Sequence, residues 1–179
     1  RVDICDWNND GKKDLVVADG RGWLWLYLNG GTDTNPALGA GTRVLANGKP
    51  IDGEESWPLY EVIEKSGKPI LLHPARSREM IDYQSEAKSK YEICSVLGWP
   101  FETGVALSRF IFSKIMDTYP KLKIVSHHLG GVIPYLEGRI GHSFDQMGVR
   151  TSDEDYESLR KSLKKRPFDY FKDFYGDTA

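Results

Sequence analysis

Apolar positions follow two rhythms along this chain, and the change falls near residues 51–57. Before it, β-rich runs at 15–18, 22–28 and 42–45 alternate with clusters of Gly, Asn and Asp. In the middle run Trp23, Trp25 and Tyr27 point one way while Leu24, Leu26 and Leu28 point the other, so this strand expects cover on both faces. The segments Asp19-Gly20-Arg21-Gly22 and Asn29-Gly30-Gly31 carry hairpin-turn chemistry, because they supply residues that tolerate positive φ. About fifty residues cannot bury two apolar faces unaided, so the segment reads as one unit of a repeat array, although no second copy follows.

After the seam the spacing turns helical. Leu59 and Ile63 suit a short helix ended by Gly67, and a strand follows at 69–73. Residues 79–97 are expected to be helical and closed by Gly98. A stronger helix spans 102–119, with Leu107, Phe110, Ile111 and Ile115 on one face, and Pro120 ends it. A strand at 122–126 comes next, then a helix over 132–147 with Pro134 in its first turn. Asp153 is expected to cap a charged helix running to Lys164, and the aromatic segment 167–175 leads into a last strand. This alternation predicts an α/β fold with parallel strands. The division read from the sequence is 1–52 for the β-rich part and 53–179 for the α/β part.

Composition narrows the partners. The 179 residues carry a formal net charge of −2, with 28% charged and 40% hydrophobic residues. That balance is globular and offers no electrostatic case for nucleic acid or an anionic membrane. No apolar run reaches the roughly 20 residues needed to span a bilayer. Both ends read as cut, inside a strand pattern at Arg1 and just after an aromatic one at Ala179. Cys5 and Cys94 are expected to be buried thiols rather than a disulfide framework.

Two groups of residues could carry chemistry. In the loop from Asp6 to Asp14, the side chains of Asp6, Asn8, Asp10 and Asp14 present oxygen at positions 1, 3, 5 and 9, with Gly11 bending the chain. Calcium takes such oxygens, but an EF-hand needs Glu at position 12, where Val17 stands. The loop and the strand after it resemble the FG-GAP/VCBS repeat of integrin-type β-propellers over residues 1–51. That resemblance implies a structural calcium ion; the other reading is an Asx-turn cluster with no ion. In the α/β part, His73 ends the strand at 69–73 and His128 follows the strand at 122–126, with Gly130-Gly131 just beyond. Side chains at the carboxyl ends of parallel strands face the ligand crevice, where imidazole can bind metal or move a proton. Strand alternation turns His127 away from His128 into packing, and His142 belongs on a helix surface. The run Arg160 to Arg166 reads as a solvated helix face.

The stretches Gly67-Lys68-Pro69-Ile70-Leu71-Leu72-His73-Pro74, Asp117-Thr118-Tyr119-Pro120-Lys121-Leu122, His128-Leu129-Gly130-Gly131-Val132-Ile133-Pro134 and Gly138-Arg139 together resemble the amidohydrolase-related decarboxylases. This is the group of aminocarboxymuconate-semialdehyde decarboxylase and γ-resorcylate decarboxylase, and the likeness runs over about residues 55–179. It implies a partial TIM-type (β/α) barrel with a divalent metal, zinc or manganese, acting on a small carboxylated substrate, and a homodimer for the intact enzyme. By matching, His73 is a metal ligand, His128 a catalytic acid/base, and Arg139 a contact to the substrate carboxylate, often across the dimer interface. The family's opening His-x-His strand has no counterpart here, and its late metal-binding Asp is not Asp177, which lies on the preceding strand. A full barrel takes roughly 250 residues, so this chain alone is expected to be inactive. The competing reading is a calcium-stabilised β-repeat binding module with a catalytically dead α/β half. The enzyme part points to the cytoplasm, the repeat to export, and the seam to a natural fusion or an artificial join.

Overall fold

The computed structural model describes residues 2–18, 24–44, 52–76, 78–151 and 153–178. It divides into two compact units, residues 1–50 and 51–179.

The first unit is a four-stranded antiparallel meander in the order β1 (Val2–Cys5), β2 (Asp14–Ala18), β3 (Leu24–Tyr27), β4 (Thr42–Val44). Leu15 pairs with Tyr27 and Val16 with Leu26, and among the described residues of this unit Val16 is a buried apolar one. Trp25, Leu26 and Tyr27 are only half-buried and Leu28 is exposed, so the expected cover on both faces of β3 is incomplete within the unit. The expected hairpin turn at 19–22 and Trp23 lie outside the described residues.

The second unit alternates helices with a parallel sheet. Helix α1 (Trp57–Ser66) has Pro58 in its first turn and stops at Gly67, whose left-handed φ of 67° lets its amide reach the Glu64 carbonyl at 3.0 Å. Strand β5 (Ile70–Leu72) follows. Residues 79–92 form turns and bends instead of the expected helix. Polar side chains there compete for the backbone: Asp82 accepts from Lys90 N at 3.2 Å and Ser89 Oγ from Cys94 N at 3.1 Å, while Tyr91 and Glu92 turn left-handed. Only the end of that stretch is helical, as a π-helical turn over Cys94–Gly98, and Gly98 does not stop it. This glycine is right-handed at φ −66° and leads straight into α2 (Trp99–Phe112); a Cβ there would lie 2.3 Å from Cδ of Arg76.

Helix α2 buries Thr103, Leu107, Phe110 and Ile111 along one stripe. The single helix expected to 119 breaks at Lys114, φ 65°, and resumes as α3 (Ile115–Thr118), a reversal that buries Ile115 and Met116. Strand β6 (Ile124–Ser126) leads to turns over 131–136. Helix α4 (Glu137–Asp145) therefore starts later than expected. Helix α5 (Tyr156–Lys161) is capped by Asp155, not Asp153, through a 3.0 Å bond from Ser158 N. A 3-10 segment, Pro167–Asp173, ends at β7 (Tyr175–Gly176). The core joins Tyr60, Leu107, Phe110, Ile111, Ile115, Ile124, Phe168 and Tyr170.

The parallel sheet runs β5-β6-β7. Leu72 stands opposite Ser126, and Ser126 opposite Gly176, so all three strands end on one rung.

Candidate active site

The next rung places the chemistry. One residue past the paired ends stand His73, His127 and Asp177, and the ladder continues through His127 N to Leu72 O at 3.0 Å and Asp177 N to Ser126 O at 3.1 Å. Residues on one rung of a parallel sheet face the same way, with neighbouring strands about 4.8 Å apart. The His73 and His127 rings accordingly meet at 4.8 Å between centroids, and Asp177 Oδ2 lies 2.8 Å from His127 Nδ1. The expected turn of His127 into packing is thus corrected. It shares the face of His73, because the register sets the rung and register cannot be read from either strand alone.

His128 belongs to a tight turn off the sheet. Residues 128–131 all have positive φ, at 58°, 50°, 84° and 64°. Two of them, His128 and Leu129, are not glycine, and such backbone strain concentrates at functional sites. The turn is held from outside: Val132 N donates to Pro100 O at 3.2 Å, and Leu129 N donates to Asp177 Oδ1 at 3.2 Å. Gly131 is required here, since a Cβ would stand 2.2 Å from Pro100 O.

The His128 ring lies 5.3 Å from that of His73 and 6.0 Å from Trp99, which itself stands edge-on to His73 at 5.3 Å. Its Nδ1 is 3.4 Å from Thr103 Oγ1, whose own proton goes to Trp99 O at 3.0 Å. Burial and the neighbouring His73 ring hold the His128 imidazole below its ordinary pKa, with Asp177 pulling the other way. A neutral ring can accept a proton and, once charged, return it.

The remaining sequence candidates lie elsewhere. Arg139 is exposed on α4, at the rim of an apolar groove of about 660 Å³ between α2 and α4 whose lining includes none of the histidines. His142 is exposed, Cys94 is buried and Cys5 is half-buried. In the N-terminal loop the oxygens are turned to backbone amides. Asp6 accepts from Asp10 N at 3.0 Å and Gly11 N at 2.9 Å, and Asp10 accepts from Lys12 N at 2.9 Å. Asp14, fully buried, accepts from Trp7 N at 2.9 Å and Asn29 N at 2.8 Å. This is the geometry of an Asx turn with a buried anchor.

Among the described residues no three His, Cys, Asp or Glu side chains group as a metal ion would require. His73 can supply one donor, because its Nδ1 lies 2.7 Å from the Pro74 carbonyl, which leaves the lone pair of the neutral ring on Nε2. A catalytic zinc site usually takes three protein ligands. The residues present fit part of a metal centre and not a complete one.

Sequence comparison finds curated relatives of a single kind. The chain is 33% identical over 110 residues to 2-amino-3-carboxymuconate-6-semialdehyde decarboxylase of Dictyostelium discoideum, covering 62% of this chain and 29% of that protein. It is 32% identical over 133 residues to γ-resorcylate decarboxylase of Polaromonas sp., covering 72% and 37%. Among solved structures, 5-carboxyvanillate decarboxylase of Novosphingobium aromaticivorans, a mutant with bound manganese and 3-methoxy-4-hydroxy-5-nitrobenzoic acid, superposes with a TM-score of 0.55 at 28% identity. That match covers 74% of this chain and 36% of that one. The chain thus spans well under half the length of each of these three proteins. The amidohydrolase family model matches residues 35–176, and the chain belongs to that family.

Proposed function

We propose that this chain is part of a metal-dependent decarboxylase acting on a small carboxylated, aromatic or unsaturated substrate. The observation that carries the reading is the strained turn holding His128 beside His73 at the carboxyl ends of parallel strands. The similar proteins, decarboxylases by name, support it. His128 is the proton carrier. Loss of carbon dioxide leaves an electron pair on carbon that must take up a proton; the His128 imidazole takes a proton from a substrate hydroxyl or water and, as imidazolium, delivers it to that carbon. Thr103, 3.4 Å away, orients the ring, and Trp99 forms a flat apolar wall beside it. His73 contributes one imidazole to a divalent metal, zinc or manganese, which would polarise substrate oxygens when bound. In this reading the three parallel strands are a segment of a TIM-type barrel.

Arg139 stands on a face away from the histidines, so a grip on substrate carboxylate requires a second copy of the chain. The reading therefore includes a homodimer, with Arg139 offering its planar, bidentate guanidinium to the neighbouring site. The first unit enters as a separate β module of FG-GAP/VCBS type. Its support is the four-stranded antiparallel meander, the form of a propeller blade.

The test is carbon dioxide release from hydroxybenzoates bearing a carboxyl group, with manganese supplied, by a complete barrel that contains this segment, comparing it with its His128→Gln variant. Turnover that falls by about 100-fold or more in the variant supports the role. Equal rates in both would end it.

A further inference from the structure

Register and hydrogen bonding single out a residue to which no role has been assigned. His73 and His127 occupy one rung of the parallel sheet, with ring centroids 4.8 Å apart and planes 65° apart. Two imidazoles on one first-row ion, with metal–nitrogen bonds near 2.1 Å and a tetrahedral angle, have their centroids roughly 5 Å apart. Each ring also has an oxygen against its Nδ1. The His73 Nδ1 faces the Pro74 carbonyl at 2.7 Å, and the His127 Nδ1 faces the Asp177 carboxylate at 2.8 Å. In the neutral tautomer that places the proton on Nδ1, the donor lone pair of each ring is on Nε2. A carbonyl or carboxylate behind the opposite nitrogen is the usual support of a metal-binding histidine.

We propose that His127 is a second metal donor, forming with His73 a two-imidazole pair for a divalent transition-metal ion, and that Asp177 orients it. The proposal rests on the reading of His73 as a ligand and extends it. His128, by contrast, lies off the sheet in the strained turn with its Nδ1 toward Thr103, and keeps its proton-carrying role. The other positions of the ion are left for water, substrate or further donors.

The experiment titrates the purified chain with cobalt(II), an ion that reports its ligands by absorption, and measures affinity by calorimetry. His73→Gln and His127→Gln should each weaken binding by more than tenfold, and Asp177→Asn by about 10- to 100-fold. His128→Gln and the surface control His142→Gln should bind as the unaltered chain does. A His127→Cys variant should add a thiolate-to-cobalt charge-transfer absorption that the unaltered chain lacks, a signature that loss of folding cannot mimic. If His73→Gln weakens binding while His127→Gln does not and His127→Cys adds no band, the pair is wrong and His73 stands alone. If neither variant changes affinity, or the unaltered chain binds no cobalt, both this inference and the role of His73 fall.

Discussion

The Asp6–Asp14 loop and the His73–His127–Asp177 rung are both clusters of metal-type donors, and they use their donors in opposite ways. In the loop, carboxylates close on backbone amides of their own turn, and the buried Asp14 joins Trp7 to Asn29. On the rung the ladder satisfies the strand backbone, and His73, His127 and Asp177 face one another, while Asp177 also accepts from Leu129 N and His73 faces the Pro74 carbonyl. The loop's oxygens are taken up within its own turn, whereas the rung brings side chains from three strands together. Asp117 shows the loop's pattern again in the second unit: its carboxylate accepts from Lys164 N at 3.2 Å and from Tyr170 Oη at 2.5 Å.

Four changes press on this contrast. The largest effect is expected from Gly131→Ala, because the added methyl meets Pro100 O at 2.2 Å and Thr103 Cβ at 2.9 Å at a φ of +64°. Denaturant unfolding of the second unit should lose about 3 kcal/mol; a loss below about 1 kcal/mol would show the turn to be adaptable. Next is Asp14→Ala, which leaves the Trp7 and Asn29 amides without their acceptor and should cost about 2 kcal/mol. Retained stability would mean that water replaces the anchor.

Tyr170→Phe should cost about 1.5 kcal/mol through the lost bond to Asp117. It also carries a pH signature. Burial, then the bond to Asp117, pushes the Tyr170 hydroxyl up to about 12 from an ordinary 10. Below pH 10 both folded and unfolded chains keep this proton. Between pH 10 and 12 the unfolded chain releases it first, so stability falls as pH rises through that window. The Phe variant should show a shallower alkaline decline by this one proton, read from unfolding midpoints; an unchanged slope would remove Tyr170 from the account.

The smallest effect is expected at Asp10, whose exposed carboxylate serves its own turn. Asp10→Ala should leave the unfolding midpoint of the first unit unchanged within error, and millimolar calcium should leave its melting unmoved. A rise of several degrees with calcium, lost in the variant, would restore the ion to the loop.

Much of the fold was legible from local pattern. The Gly67 stop, the buried stripe of α2 and the order of strands and helices follow from spacing and caps acting within a few residues. The misses have tertiary causes. Residues 79–92 read as helical in composition, yet Asp82 and Ser89 take backbone amides that a helix would use. The long helix was expected to be continuous, but burial of Ile115 required the break at Lys114.

By itself the sequence determined which residue types end the strands, and that two histidine-bearing strands lie in a parallel α/β arrangement. It marked His73 and His128 through their neighbours and Gly130-Gly131. Only the tertiary structure decided that His127 shares a rung with His73 while His128 leaves the sheet. Strand register depends on how the intervening helices pack between β5, β6 and β7. A shift of one residue reverses every side chain, and no local signal in either strand encodes it.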